Sequence, residues 1–177
     1  MEEKVVLVDS NDNEIGLEEK LKAHQNGGML HRAVSVFVFN SKGQLMMQRR
    51  ATTKYHGGGL WSNTCCSHPF PRETPSEAAH RRLYEEMGFD CKLHEVCAFA
   101  YEAKMDGSLT EKEYDHYFIG LYDSPPKINP EEVCDWKWVS INQLKNDTKR
   151  HPAAYTPFFL VFFERVLRKA EEEGMTK

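Results

Sequence analysis

The run Asn63-Thr64-Cys65-Cys66-Ser67-His68-Pro69 places a thiol two residues from an imidazole, just upstream of a strongly signalled helix. A thiol can move a proton or attack carbon, and an imidazole beside it can hold a metal ion. Glu111 and Glu113 lie two apart on an expected strand, so the two-residue period aims both carboxylates at one face. Lys112 between them points the other way. The pair is therefore either a solvated strand face or part of a site where a metal ion relieves the repulsion. His24, His31 and His68 each sit near the end of an expected element and are the best-placed partners. Three imidazoles with two carboxylates suit a divalent transition metal such as zinc or manganese, although His24 and His31 form no compact motif. Arg81 and Glu85 are four apart, as are Arg82 and Glu86. They form two surface ion pairs of about 0.3–0.5 kcal/mol each, or else Glu86 binds magnesium while Arg82 grips a phosphate.

Several elements must position these residues. Val5 to Val8 fits a short strand and Asp9 to Asn13 a turn, while Gly16 to Lys22 is polar and compatible with a helix. Ala33 to Phe39 is almost continuously apolar, as in a strand buried on both faces. The Asn40 to Gly43 turn returns the chain as a strand from Gln44 to Arg50. Thr74-Pro75-Ser76-Glu77 combines an N-cap, a first-turn proline and a capping box, and Gly88 is the matching stop. Ala79, Leu83 and Met87 then form an apolar line that must pack on a sheet. Strands are expected around Cys97 to Ala103, Glu111 to Leu121 and Trp136 to Val139, with an amphipathic helix from Thr156 to Glu173. Strands interleaved with helices and hairpins favour a mixed sheet between helical layers.

The 177 residues can build one domain with a sizeable core. With 23 basic and 27 acidic residues, the net charge of −4 argues against nucleic-acid binding. The longest apolar run, Phe158 to Phe163, is six residues, whereas a bilayer span needs about 20. Met1-Glu2-Glu3-Lys4 followed by only a short apolar run lacks the pattern of a secretory leader. A soluble, cytoplasmic protein without membrane association is expected. Cys65, Cys66, Cys91, Cys97 and Cys134 are odd in number and contain no C-x-x-C pair, which fits reduced thiols better than a disulfide framework.

Glu73, seven intervening residues, then Arg81, Glu85, Glu86 and Gly88 resemble the Nudix box, Gly-x5-Glu-x7-Arg-Glu-U-x-Glu-Glu-x-Gly-U with U apolar. Enzymes with this box handle diphosphate-containing substrates through magnesium. Ser67 stands where the box opens with glycine, and Arg82 where it carries an acid. The second change argues against ordinary pyrophosphate hydrolysis. Preceded by Trp61 to Pro69, the altered box resembles type I isopentenyl-diphosphate delta-isomerase, and the resemblance runs from about Lys20 to Phe158.

The resemblance implies a single-domain α/β fold over 1–177, a Nudix-like mixed β-sheet sandwiched between helices. It implies interconversion of isopentenyl and dimethylallyl diphosphate through a carbocation-like state, by a monomer or weak dimer. His24, His31, His68, Glu111 and Glu113 would hold one zinc or manganese ion, or magnesium. Glu86 would bind a magnesium ion bridging to the diphosphate, and Lys20, Arg50, Lys54 and Arg82 would supply cationic donors to it. Cys66 would face Glu113, aided by Tyr101, across the alkene, while Cys65 would be a small buried hydrophobe. Trp61 and Phe158 would offer aromatic faces to the cation. Phe158 stands where the family usually carries tryptophan, so a slower or looser enzyme is expected, and Phe158→Trp should raise turnover in a steady-state assay. The competing readings are a Nudix pyrophosphohydrolase acting on a nucleotide or prenyl diphosphate, and a non-catalytic diphosphate-binding domain.

Overall fold

The computed structural model describes residues 3–174 apart from residue 55, with the backbone alone at residue 106. In chain order the elements are β1 (Lys4–Val8), β2 (Glu14–Glu19), α1 (Lys20–His24), β3 (His31–Phe39), β4 (Gln44–Arg50), β5 (Trp61–Ser62) and β6 (Cys65–Ser67). They continue with α2 (Pro75–Met87), β7 (Leu93–Lys104), β8 (Thr110–Leu121), β9 (Val133–Ser140), α3 (Ile141–Arg150) and α4 (Pro157–Glu172).

The strands form one mixed sheet. Strand β3 lies at its centre and pairs with β1, β4, β6 and β8, with β8 parallel and the others antiparallel. The two-residue period of β3 sorts its side chains onto two faces. Val34, Val36 and Val38 pack with Ala79, Leu83 and Met87 of α2. Phe37 and Phe39 pack with Phe159, Phe162 and Val166 of α4. Burying such a side chain contributes about 1.5–3 kcal/mol, so both helices are held chiefly by their apolar faces. Helix α2 is also fixed at its ends. The Thr74 side chain accepts from the Glu77 N–H, the Glu77 carboxylate accepts from Thr74, and Gly88 closes the helix at φ 72°.

Two expectations need correction. The stretch from Gly16 to Lys22 is not one helix: it stays extended through Glu19, and the helix starts at Lys20. Pairing of Val5 with Glu18 and of Val6 with Leu17 completes a hairpin, and that ladder overrides the weak helical preference of a Glu/Lys-rich segment. Helix α3 was also not expected. Its Ser140 cap, which accepts from the Gln143 N–H, is a readable start signal, but Ile141 and Leu144 are the only apolar residues among its ten. No helix among the described residues is long and apolar enough to cross a membrane.

Registers within the sheet assemble the chemistry. Glu113 on β8 lies beside His31 on β3 and Tyr101 on β7, and Glu111 lies opposite Ala103. Cys66 pairs with Ser35 and Cys65 with Val36, so the two thiols face opposite layers. Cys65 belongs to the α2-side core and Cys66 packs on the α4-side core.

Candidate active site

Helix α1 and the starts of β3, β6 and β8 converge on a buried cluster. His24, His31, His68, Glu111 and Glu113 each offer one ligand atom, and these atoms all lie within 4.8 Å of one another. The Nδ1–H of His24 donates to the Lys20 carbonyl at 2.6 Å, and that of His31 to the Met29 carbonyl at 2.7 Å. A carbonyl only accepts, so Nδ1 carries a proton in both rings and Nε2 faces the cluster. His24 Nε2 is 2.8 Å from Glu111 Oε2. His68 Nε2 is 2.9 Å from Glu113 Oε1 and 3.2 Å from His31 Nε2. Two carboxylates and inward-turned ring nitrogens in a buried space are the donor set of a divalent metal, and the backbone bonds behind His24 and His31 orient them for it. The residues present fit such an ion.

Burial pushes the Glu111 carboxyl up, but the hydrogen bonds from His24 and His56 outweigh it and hold Glu111 well below the usual carboxylate range. Burial and the neighbouring Glu111 push Glu113 up, while His31 and His68 leave it lowered overall. Burial opposes a charge on His24, yet the Glu111 contact raises it overall. His68 is pushed down to about 4, mainly by burial, against the pull of Glu113.

One cleft of about 500 Å³, its solvent mouth included, has both Cys66 and Glu113 on its walls, together with Tyr101, Glu111, His68 and Phe158. Tyr101 donates its hydroxyl to Glu113 Oε2 at 2.5 Å. Burial first, then the nearby Glu113 charge, lifts the phenol well above its ordinary value, so it remains a donor. Burial pushes the Cys66 thiol up to about 12, although the Arg50 guanidinium works against it. Without a metal ion, then, the thiol holds its proton at neutral pH and Glu113 is ionised.

Lys20, Arg50, Lys54 and Arg82 also line this cleft. Arg50 ends β4 with Nη1 3.9 Å from Cys66 Sγ, and its guanidinium lies 5.7 Å from the Phe158 ring centroid. Arg82 binds Glu86 at 2.7 Å, Glu85 at 2.8 Å and Glu132 at 3.2 Å. Its link to Glu86 is not a surface pair, since Glu86 is buried and also accepts from Gln48 Nε2 at 2.8 Å. Arg81 reaches Glu85 at 3.3 Å, as its spacing predicts, and also grips Glu73 with two bonds of 2.6 and 2.7 Å.

Glu86 and Trp61 are not among the cleft-lining residues. The Trp61 ring carries the Lys137 ammonium 4.1 Å from its centroid, whereas Phe158 stands in the cleft wall. Sequence reasoning missed His56, which lines the cleft and reaches Glu111 Oε1 at 3.0 Å. It also missed Glu132, which pairs with both Lys54 and Arg82, and Asp115, which accepts from the Ser35 hydroxyl at 2.7 Å beside the cluster. His56 and Glu132 belong to no local pattern, whereas Asp115 continues the two-residue period of Glu111 and Glu113; beside His56 the Gly57 to Gly59 run was a further hint.

Comparison with known proteins gives a concordant result. A NUDIX domain model matches residues 29–159. The chain is 50% identical to isopentenyl-diphosphate Delta-isomerase 2 of Aromatoleum aromaticum, over 94% of this chain and 88% of that protein. It is 53% identical to isopentenyl-diphosphate Delta-isomerase 2 of Photorhabdus laumondii, over 90% and 89% of the two chains. Among solved structures, DR0079 from Deinococcus radiodurans superposes with a TM-score of 0.70 at 20% identity, over 87% of this chain and 91% of that one. The MutT protein of Methanosarcina mazei Go1 gives 0.64 at 22%, over 79% and 94%. At those identities the structural likeness concerns the fold alone.

Proposed function

The chain belongs to the isopentenyl-diphosphate Delta-isomerase family of the Nudix superfamily, and from that premise we propose that Cys66 and Glu113 are the two groups that move the substrate's double bond. The enzyme interconverts isopentenyl diphosphate and dimethylallyl diphosphate. In the forward direction the C3=C4 electron pair takes up a proton at C4, leaving a tertiary cation at C3. Loss of a proton from C2 then returns the C–H electron pair as the C2=C3 bond.

A single cleft with the Cys66 thiol and the Glu113 carboxylate both on its walls is the observation behind this assignment. Proton gain and proton loss at two carbons need one acid and one base, and here burial and charge set the pair in opposite states. Tyr101 holds Glu113 by its second oxygen and fixes the direction of its lone pairs. Phe158 presents an aromatic face for the cation.

Lys20, Arg50, Lys54 and Arg82 bind the diphosphate, the arginines through their planar forks. His24, His31, His68, Glu111 and Glu113 would hold zinc or manganese, and Glu86, now paired with Arg82, would hold a magnesium ion at the diphosphate end. A bound divalent ion would supply positive charge that orders the two glutamates and neutralises substrate phosphate. Arg82 in place of an acid leaves ordinary pyrophosphate hydrolysis without one of its usual carboxylates.

The test is incubation of the protein with isopentenyl diphosphate, magnesium and zinc or manganese, followed by proton NMR. Conversion to dimethylallyl diphosphate without release of phosphate is expected. Release of phosphate with no new methyl signals would replace the isomerase reading with the hydrolase one.

A further inference from the structure

His56 sits in the loop after Lys54, outside the five-residue cluster, yet it is buried and aimed at that cluster. Its Nε2 is 3.0 Å from Glu111 Oε1, the oxygen that His24 does not take; His24 Nε2 is 2.8 Å from Oε2. The imidazole also meets the Phe158 ring edge-on, with centroids 6.3 Å apart and planes at 87°. Its backbone carbonyl accepts from Arg50 Nη2 at 3.3 Å.

The two glycines that follow His56 are closely packed. Gly57 adopts φ +58°, and a Cβ there would meet Thr156 Cγ2 at 3.2 Å. A Cβ on Gly58 would stand 2.8 Å from the Thr52 carbonyl oxygen. Backbone, ring face and ring nitrogen thus each have a fixed neighbour.

We propose that His56 is a positioning residue of the metal centre: its Nε2–H holds Glu111 Oε1, so that Oε2, beside His24, is the oxygen left for the ion. The inference rests on the reading of the five-residue cluster as a metal site. A carboxylate with one oxygen already bonded cannot swing or chelate through both, and groups that hold a ligand this way typically govern metal affinity by 10- to 100-fold. Through the same ring, the metal half of the cleft is tied to its aromatic half at Phe158.

Zinc affinity, read by competition with a chromophoric chelator, separates the hydrogen bond from the shape of the ring. His56→Phe keeps a planar ring and removes the donor, so Zn2+ binding should weaken by about 10- to 100-fold. His56→Gln keeps an N–H donor and should recover most of that loss. Parent-like affinity in the Phe variant overturns the proposal, and so does a Gln variant as weak as the Phe variant. If the Phe variant does not fold, His56→Ala takes its place and must bind more weakly than His56→Gln. Failure of the unaltered protein to bind Zn2+ would overturn the metal-site reading and this inference with it, whereas equal binding by all variants would overturn this inference alone.

Discussion

Replacement Cys66→Ala is expected to lower kcat by about 10³- to 10⁴-fold, at the upper end of what a positioned acid or base supplies. The effect should appear in kcat, with KM changed little, because the four cleft-lining cations proposed to hold the diphosphate are separate side chains. Arg50 Nη1 touches the sulfur at 3.9 Å, but Arg50 keeps its bond to the His56 carbonyl when the sulfur is gone. Cys65→Ala is the control. Its sulfur lies in the opposite, α2-side core, so it should reduce stability by about 1 kcal/mol for the lost packing and leave kcat within a few-fold. Rates from NMR at saturating substrate decide the matter. Turnover of Cys66→Ala within tenfold of the parent would remove the thiol from the reaction.

Neighbouring cysteines also show how far sequence alone could go. The short strand from Cys65 to Ser67 explains why one thiol is available to the cleft and the other is core. That alternation is legible once the segment is known to be extended, but a three-residue strand leaves no periodic trace. Helix α2 was legible in full because capping box, proline, apolar line and terminal glycine all agree within 15 residues. The common face of Glu111 and Glu113 followed from their spacing. Their meeting with His24, His31 and His68 did not, since it depends on the parallel β3–β8 register between residues some 80 positions apart. His56 and Glu132 were less legible still. Each reaches its partner through loop closure, and a lone histidine or glutamate in a loop resembles ordinary surface. Trp61 was chosen for its π face, yet strand β5 sets its ring against Lys137, and Phe158 occupies the cleft wall. Residue type suggested the chemistry; topology decided which residue of that type could perform it.

Metal loading should be the largest single effect on stability. Zn2+ or Mn2+ at about a thousand times its Kd is expected to add about 4 kcal/mol to the unfolding free energy, since the ion binds the folded cluster and not the separated ligands. For a chain of this length that corresponds to a rise in Tm of about 8–16 °C. The increment should depend on pH. His24 has a raised value in the metal-free fold, so its contribution is fully present below the ordinary histidine value near 6.5 and is lost as pH rises through the folded value. The ion needs the same Nε2 without its proton, so its contribution grows with pH. His68, pushed down to about 4, favours the fold above about 6.5 and loses that contribution as pH falls toward 4. It is therefore neutral at pH 7 and adds little to the pH dependence of metal binding above that value. Glu111, held well below the carboxylate range, contributes above about 4.3 and loses that contribution only as pH falls through its folded value. The gap between metal-loaded and chelator-treated protein should then widen steadily from pH 5.5 to 8, with His24 the main cause. Thermal melts of both forms across that range provide the measurement, and a gap that stays flat or narrows as pH rises would mean that the ion does not compete with protons for these imidazoles.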